Sequence, residues 1–390
     1  MLRYRFIQTN TVDPQIVLSG FNLAPQGYNV FNSSLELRGW VIAKDEMVEK
    51  LEIFIYANFK RKLIDIEKFN DSPDIAELFP GYAGINQARF KVILDPNQIH
   101  ELKDKKDFAI EMVVHTKSAV YCFKTITFVK DDDMTQAVFV VGSPRSGTSI
   151  LGNTLSDVLM GENQFGESHV LTLMHELQLK IDEYYKGTPA SHLNFHMLSE
   201  YNRYLLIAQL QNVFKLQYAG IARNGSFVDK TPGIPMLNAL PIIVQMWPQA
   251  KIVFAKRRGI ENIVSRMRKF KDVGFENHCR QWSNTMLLWQ SLSSELPNRI
   301  EIDQYDIQQE PKTVAKALKD FLGLDLYKES QIAKSFMHNR PESTSKPTDL
   351  AALDLFRIEW TDQQKELFKM LCNQAMQIYN YSDDSSYYLS

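Results

Sequence analysis

The chain has 390 residues, of which 44% are hydrophobic and 23% charged, so it is long enough for two or three domains with cores of their own. Lys and Arg total 44 against 46 Asp and Glu, and a net charge of −2 argues against a general nucleic-acid binder, whose surface is usually basic. Any site for an anion must therefore be local.

The cysteine and hydrophobic patterns favour a reducing compartment. Cys122, Cys279 and Cys372 lie far apart and form neither a disulfide framework nor a CxxC metal motif. No segment approaches the roughly 20 apolar residues that cross a bilayer, and the first residues lack the apolar core of a signal peptide. We therefore expect a soluble, cytoplasmic protein without a transmembrane segment.

The first part of the chain, residues 1–133, has the pattern of an all-β domain. Short runs rich in Val, Ile, Phe and Tyr alternate partly between apolar and polar residues, and turn-forming residues separate them. The runs are ELRGWVIAK (36–44), KLEIFIYANF (50–59), ARFKVIL (88–94), FAIEMVVHT (108–116) and VYCFKTITFV (120–129), with one helical piece, SPDIAELFPGY (72–82). This spacing predicts an immunoglobulin-like β-sandwich that serves as an accessory domain.

The acidic run Asp131-Asp132-Asp133 is typical of a solvated linker and marks the predicted boundary before residues 134–390. After it, buried-strand runs alternate with helical patterns. The strands are QAVFVVG, GSFVD, KIVFAK and RIEIDQY, and the helical patterns cover 148–160, 169–185 and 196–217. Alternating strands and helices predict an α/β domain whose parallel sheet is covered by helices on both faces.

The most informative stretch, FVVGSPRSGTSIL, runs from Phe139 to Leu151. It contains a buried strand, Gly142, four residues, Gly147 and the start of a helix, which is the spacing of a P-loop. Glycines let successive backbone N–H groups point inward, and the positive end of the helix dipole adds to the attraction for an anion. The hydroxyls of Thr148 and Ser149 add further donors, so the loop is predicted to bind phosphate.

The loop departs from that of nucleotide-hydrolysing proteins at one position. Such a P-loop has Lys after its second glycine, where this chain has Thr148, and the cation lies instead inside the loop, at Arg145. A planar guanidinium suits the oxygens of phosphate or sulfate. A P-loop kinase that uses ATP and Mg²⁺, with Asp229 as the strand-end ligand, is thus the alternative, and an inactive binding module is a third.

A second cluster of cations lies in KIVFAKRRGIENIVSRMRKFK (251–271). Arg257 follows a predicted strand, and Ser265 lies about two turns into the next helix. Because ligands of open α/β sheets bind at the carboxyl edge of the strands, this pair predicts a second anion site beside the loop. The remaining cations, Arg266, Arg268, Lys269 and Lys271, are expected on a solvated helix face.

The segments PRSGTS (144–149) and RRGIENIVS (257–265) resemble the two nucleotide-binding signatures of the sulfotransferase superfamily. Three other segments fall in the family's order, DKTP (229–232), EIDQYDIQQEPKTVAKALKDFLGL (301–324) and EWTDQQKELFKMLCNQAMQIYNY (359–381), so the resemblance covers about residues 136–382. It is greatest to the branch with Pro-Arg-Ser-Gly-Thr, which includes tyrosylprotein and many bacterial sulfotransferases. The resemblance implies an enzyme that uses 3′-phosphoadenosine-5′-phosphosulfate (PAPS) as co-substrate and needs no metal.

The same resemblance implies roles for individual residues. Arg257 and Ser265 would bind the 3′-phosphate, while the loop would bind the 5′-phosphosulfate. The cofactor-binding set is Ser143, Arg145, Ser146, Gly147, Thr148, Ser149, Arg257, Ser265 and Tyr305. Arg258 stands where the family often has Asp, and Ile260 where it often has Arg, which leaves the local pairing of Arg257 open.

Sulfuryl transfer to a hydroxyl needs a general base, because the pKa of the hydroxyl lies far above 7. Glu167 lies in a Gly-Glu pair that resembles the catalytic Gly-Glu-Glu segment of that branch, with Ser168 in place of the second Glu. His169 is the alternative base, and Glu167 could instead only cap a helix that starts near Ser168. Arg145 completes the catalytic set, since it would stabilise charge on the transferring group.

The remaining candidates are weaker. Lys230 is expected either to contact the sulfuryl group or to be a surface cation, and Lys346 is a slight candidate for the 3′-phosphate. His192 and His196 have a helix-face metal spacing but lack a third ligand, so no metal site is predicted. The expected acceptor is a hydroxyl of a small molecule, a glycan or a lipid-linked carbohydrate, which is inferred only from the fused β domain.

Overall fold

The computed structural model describes residues 2–11, 16–22, 28–31, 35–57, 60–94, 107–130, 135–161, 166–187, 201–338 and 352–389. The chain divides into two compact units, one of residues 1–133 with 177–213 and one of residues 134–176 with 214–390. The acidic run at 131–133, where the sequence predicts the domain boundary, lies outside the described residues. Among the described helices, none is both long enough and apolar enough to cross a membrane.

The first unit contains two antiparallel sheets. Its elements are β1 (Leu2–Asn10), β2 (Val17–Asn22), β3 (Tyr28–Phe31), β4 (Leu35–Ala43), β5 (Lys50–Tyr56), β6 (Lys60–Ile66), β7 (Asn70–Asp71), α1 (Pro73–Leu78), β8 (Gln87–Leu94), β9 (Asp107–His115) and β10 (Val120–Lys130). One sheet has the strand order β3-β1-β10-β9-β5-β6 and the other β2-β4-β8-β7. The five strand runs and the short helix found in the sequence correspond to β4, β5, β8, β9, β10 and α1.

Both sheets of this unit contribute to one hydrophobic cluster. Leu51, Ile53 and Ile55 alternate with more exposed residues along β5, which is the period-two pattern of a strand with one buried face. Leu37 of β4 and Phe90 of β8 bring the second sheet into the same cluster. A shared core is what a β-sandwich requires, and the sandwich itself stays a prediction.

Residues 177–213, which follow the phosphate loop in the sequence, group with the first unit. They contain the end of α3 (Val170–Gly187) and the beginning of α4 (Arg203–Ile221). Leu205 of α4 packs in a small cluster with Tyr56 of β5 and Ala109 of β9. Residues 188–200, with the histidines His192 and His196, lie outside the described residues.

The second unit is built on a parallel sheet of four strands, β11 (Gln136–Gly142), β12 (Ser226–Lys230), β13 (Lys251–Lys256) and β14 (Arg299–Asp303). Its strand order is β12-β11-β13-β14. Strand β12 is therefore added on one side of β11, and β13 and β14 are added on the other side. Strands β11, β12 and β13 are almost continuously buried, as expected of a parallel sheet that is covered by helices, while the edge strand β14 is buried only at its last two residues. A ligand of such a sheet binds beside β11, where the direction of strand addition reverses.

Helices connect these strands and complete the unit. Besides parts of α3 and α4, they are α2 (Thr148–Met160), α5 (Ile234–Met246), α6 (Gly259–Lys269), α7 (Phe275–Ser293), α8 (Gln304–Gln309), α9 (Pro311–Leu322), α10 (Leu326–His338) and α11 (Asp362–Ile378). The predicted α/β organisation with a parallel sheet is therefore present, and α2 has the bounds that the sequence predicts.

The register of the sheet brings four loops to one edge. Val140 pairs with Lys230, Gly142 with Ala255, and Lys256 with Asp303. Because parallel strands all end at the same edge, the chain segments that follow these residues lie together there. A hydrogen bond from the N–H of Gly233 to the carbonyl of Gly142, 2.8 Å long, joins two of these segments directly.

Candidate functional site

The loop after β11 has a backbone that only particular residues allow. Gly142 has φ 146°, and a Cβ there would lie 2.2 Å from the carbonyl oxygen of Ala255, so β13 approaches too closely for any side chain. Gly147 has φ 90° and forms the N-cap of α2. Arg145 has φ 73°, a left-handed conformation that is uncommon for a residue with a side chain and often marks a functional site.

Several polar groups of the loop are buried and held in place. The side chains of Ser143, Ser146 and Thr148 are almost inaccessible to solvent. Asn262 of α6 donates from Nδ2 to the carbonyl of Pro144 at 3.0 Å and to Oγ of Ser146 at 2.9 Å. The loop is therefore fixed by the helix that carries the second motif.

The two motifs that the sequence singles out are in direct contact. Nε of Arg145 donates to Oγ of Ser265 at 3.0 Å, and Nη1 of Arg257 donates to the carbonyl of Arg145 at 3.1 Å. The carbonyl of Arg257 accepts from Nε1 of Trp282 at 3.0 Å. The loop and the Arg257–Ser265 segment thus meet at one edge of the sheet, and the anion sites that the sequence predicts there stay a prediction.

Arg257 has unused capacity to bind an anion. Its Nε is buried and has no hydrogen-bond partner among the described residues. Burial lowers the pKa of the Arg257 guanidinium, since a charged group loses hydration there. A phosphate oxygen would supply an acceptor for this Nε and a negative charge beside the guanidinium, so the site fits an anionic ligand.

The candidate bases lie at the start of α3, next to the end of β12. Nζ of Lys230 is 2.9 Å from Oε1 of Glu167, and Nε2 of His169 is 3.5 Å from Oε2 of the same carboxylate. Lys230 is only 7% exposed, so the expectation of a surface cation is wrong for it. Helix α3 begins at Val170, and it is Oγ of Ser168 that accepts from the first helical N–H, at 3.5 Å.

Asp229, the candidate Mg²⁺ ligand of the kinase alternative, is engaged by hydroxyl groups. Its Oδ2 accepts from Ser168 and from Tyr218, each at 2.5 Å, and its Oδ1 accepts from Thr231 at 2.7 Å. Burial raises the pKa of the Tyr218 phenol, which keeps it a donor. In the ranges that the structure describes, no three His, Cys, Asp or Glu side chains are grouped as a metal site.

Tyr305 lies after β14, next to a buried carboxylate. Asp303 accepts from the N–H of Tyr305 at 2.8 Å and from the hydroxyls of Tyr381 at 2.6 Å and Tyr387 at 2.7 Å. Burial raises the pKa of Asp303, and the two hydroxyls oppose that rise. The ring of Tyr305 stacks on that of Tyr387, with 4.0 Å between centroids.

The expectation of a solvated cationic face on α6 is wrong for Arg266. Arg268, Lys269 and Lys271 are exposed, but Arg266 is 2% exposed because it lies on the buried face of α6, one turn after Asn262. Its guanidinium contacts Gln281 and Nδ1 of His278, both on α7. Burial lowers the pKa of Arg266 to about 10.

The two departures from the family pattern have structural partners of their own. Ile260 is fully buried in the core. Arg258 is also fully buried and pairs with Glu261 through two hydrogen bonds of 2.8 and 2.5 Å. Sequence reasoning missed Asn262, although its position three residues before Ser265 places both on one helix face. Lys346 lies outside the described residues.

A comparison with protein families finds a match to this chain. Residues 137–329, just under half of the chain, match a family model described as the Sulfotransferase family. No match is found among the curated proteins.

Several solved structures are similar to the chain. The sulfotransferase domain of the Synechococcus PCC 7002 olefin synthase has 16% identity and a TM-score of 0.40 over 65% of this chain and 98% of that one. Sulfotransferase STF9 from Mycobacterium avium has 11% identity and a TM-score of 0.39, over 65% and 79%. Mouse sulfotransferase SULT7A1, in complex with PAP, has 14% identity and a TM-score of 0.34, over 64% and 92%.

No residue role follows from structural likenesses of this size. The family match rests on the sequence and spans the phosphate loop, the Arg257–Ser265 motif and the strands that carry them. Residues 137–329 are therefore similar in sequence to the sulfotransferase family, across both motifs.

Proposed function

We propose that the chain is a PAPS-dependent sulfotransferase that moves a sulfuryl group to an acceptor hydroxyl. The observation that carries this proposal is the contact between the two motifs, in which Arg145 binds Ser265 and Arg257 binds the carbonyl of Arg145. Two anion-binding segments joined at one sheet edge suit a nucleotide with charge at both the 5′ and the 3′ position of its ribose.

The donor would be held by residues of both motifs. The loop residues Ser143, Ser146, Gly147, Thr148 and Ser149 surround the start of α2, whose first N–H groups have no helical partner and attract the 5′-phosphosulfate. Arg257 and Ser265 would bind the 3′-phosphate, and Tyr305 would bind beside them. The buried Nε of Arg257 and the close approach at Gly142 support this fit.

When bound, PAPS supplies a sulfuryl group on a phosphate leaving group, and the acceptor oxygen displaces that phosphate in line. Glu167 would take the hydroxyl proton as that oxygen bonds to sulfur, with His169 as the alternative base. Arg145 would stabilise the charge that develops on the leaving oxygen and the sulfuryl group. Lys230, paired with Glu167 at 2.9 Å, lies where it would orient that carboxylate.

The acceptor and the domain roles complete the proposal. We place the catalytic domain at residues 134–390 and an immunoglobulin-like accessory β-sandwich at residues 1–133, in a cytoplasmic enzyme. A carbohydrate or glycolipid hydroxyl is the proposed acceptor, since a separate β unit in the same chain as a transferase domain suits acceptor recognition. Transfer of labelled sulfate from PAPS to a panel of glycans and glycolipids tests this, and activity only on non-carbohydrate hydroxyls would contradict it.

The donor is tested by ligand-dependent thermal stabilisation. Adenosine 3′,5′-bisphosphate at 100 times its Kd is expected to add about 2.7 kcal/mol to the free energy of unfolding, because it binds only the native state. ADP with Mg²⁺ is the matched control. Stabilisation by ADP with Mg²⁺ and not by the bisphosphate would replace the sulfotransferase with the kinase alternative.

The same site is tested by substitution in the transfer assay. Arg145→Ala is expected to lower kcat by about 10²- to 10³-fold, the usual effect of removing one group that stabilises transition-state charge. Arg268→Ala, an equal loss of charge at an exposed position of α6, should leave kcat unchanged. Equal effects of the two substitutions would contradict a role for Arg145 in the reaction.

A further inference from the structure

The fully buried Arg258 contacts two segments of the chain that are distant from it in sequence. Its Nη1 donates to the carbonyl of Ser382 at 3.0 Å and to that of Asp384 at 2.5 Å. Its Nη2 donates to the carbonyl of Leu353 at 2.5 Å, while Glu261 neutralises the charge. Arg258 is the residue just before α6. It therefore holds the segment of residues 380–389, here called the tail, against the start of that helix.

The tail has a defined fold of its own. Tyr381 and Tyr388 form an antiparallel bridge, and the N–H of Ser382 donates to the carbonyl of Tyr387 at 2.9 Å. This turn buries Tyr387, which is 1% exposed, although it needs a left-handed φ of 72° there. A buried aromatic residue in that conformation persists only where its surroundings hold it firmly.

The hydroxyl of Tyr387 connects the tail to two strand ends. It accepts from the backbone N–H of Arg258 at 3.0 Å and donates to Oδ1 of Asp303 at 2.7 Å. Asp303 pairs in the sheet with Lys256, the residue before Arg257. One hydroxyl thus joins the chain just after Arg257 to the chain just before Tyr305.

The ring of Tyr387 contacts the same two parts of the chain, at Tyr305 and at Arg258. It stacks on Tyr305 with an interplanar angle of 13°, and the guanidinium of Arg258 lies 4.9 Å from its centroid. Tyr305 is itself assigned to the donor site and Arg258 adjoins Arg257, yet neither Tyr387 nor Arg258 contacts the phosphate loop among the described residues. Their effect on a ligand must therefore pass through Arg257 and Tyr305.

We propose that the tail locks the donor site, with Tyr387 and Arg258 as positioning residues that set the backbone at Arg257 and the ring of Tyr305. This inference rests on the proposed function, because the affinity that the tail would control is the affinity for the proposed donor nucleotide. The tail itself lies outside both motifs. This proposal explains why Arg258 stands where the sulfotransferase pattern often has Asp. A long cation donates hydrogen bonds to the carbonyls of the tail, which a carboxylate cannot do.

The test is a comparison of two conservative substitutions. Tyr387→Phe keeps the ring but leaves the N–H of Arg258 without its acceptor, so the Kd for adenosine 3′,5′-bisphosphate should rise about tenfold. Tyr379→Phe is the matched control, since it removes a buried hydroxyl that donates only to the carbonyl of Met286, at 3.0 Å. Calorimetric titration well below the thermal midpoint of each variant keeps differences in stability out of the Kd.

Steady-state kinetics distinguish a positioning role from general damage. In Tyr387→Phe the donor KM should rise about tenfold while kcat at saturating donor changes by less than about twofold. Arg258→Lys, which keeps the charge but cannot reach the same carbonyls, should raise the Kd in the same way.

The outcomes separate this inference from the function on which it rests. Wild-type protein that does not bind the bisphosphate would contradict the proposed function. Wild-type protein that binds it as tightly as Tyr387→Phe, or a Kd raised equally by Tyr379→Phe, would contradict the tail lock alone.

Discussion

At the scale of single residues, the site depends on Arg145, which carries its charge inside the loop instead of after it. The spacing of glycines around Arg145 predicts the loop, and Thr148 at the lysine position turns that prediction away from ATP. The hydroxyls around Asp229 were not predictable, because Ser168, Tyr218 and Asp229 are up to 61 residues apart and meet only in the folded chain. Local motifs thus predict candidate donor-binding residues, whereas the residues that contact and support them become visible only in the tertiary structure.

The prediction at this scale concerns the residue that acts as general base. Glu167→Gln is expected to lower kcat by about 10²- to 10⁴-fold with little change in donor Kd, since it removes proton transfer but keeps the shape of the side chain. His169→Asn should lower kcat by much less. Single-turnover transfer and bisphosphate titration on both variants measure the two effects.

Retained turnover in Glu167→Gln together with loss in His169→Asn would move the base to His169. If both variants keep their turnover, neither residue is the base, and Glu167 serves only to pair with Lys230. The two residues can be compared directly because both are partly exposed at the start of α3.

At the scale of elements, α6 shows what periodicity does and does not predict. Its buried positions recur at the spacing of one helix face, so the helix itself follows from the sequence. Its charge predicts that Arg266 lies on the solvent-exposed face of α6. Its place in the helical repeat puts it on the buried face instead, where it contacts His278 and Gln281 of α7. Helical phase decided the burial of this arginine, and its polar partners lie on another helix that the sequence does not link to it.

The α6–α7 contact predicts a dependence of stability on pH. Burial, together with the nearby charge of Arg266, lowers the pKa of His278 below its ordinary value of about 6.5. The unfolded chain then binds more protons than the native one below that pH, so stability should fall as pH drops through about 6.5, by at most about 1.4 kcal/mol per pH unit. His278→Gln should remove this contribution.

Urea unfolding between pH 7.5 and 5.5 measures the slope. His338→Gln, on the exposed last turn of α10, is the control and should keep the wild-type slope. An unchanged slope in His278→Gln would show that this histidine binds its proton equally well in the folded and unfolded states, which would contradict the lowered pKa.

At the scale of the whole molecule, the grouping of residues 177–213 with the first unit is the feature that no local pattern predicted. The composition change at 131–133 indicates two regions, and the helical periodicity of α3 and α4 is clear. Periodicity gives the buried face of a helix but not the sheet that covers it. The contact of Leu205 with Tyr56 and Ala109 therefore had to be seen in the structure.

This contact gives a prediction about stability. Leu205→Ala is expected to lower the free energy of unfolding by about 2–5 kcal/mol, because it removes a side chain packed against β5 and β9. Leu216→Ala, on the same helix but 70% exposed, should change it by less than about 0.5 kcal/mol. Urea denaturation of both variants is the measurement, and equal values would contradict the packing of this segment on the first unit.

The distance along the chain between Arg145 and its partner Ser265 has a kinetic consequence. The two are 120 residues apart, so their contact closes a long loop at a cost in chain entropy, and we expect it to form late in folding. During refolding, circular dichroism should therefore recover earlier than the capacity to retain a bisphosphate nucleotide. The nucleotide would then report on the last stage of assembly, and a chain that is compact but misassembled would be recognised by its failure to retain it.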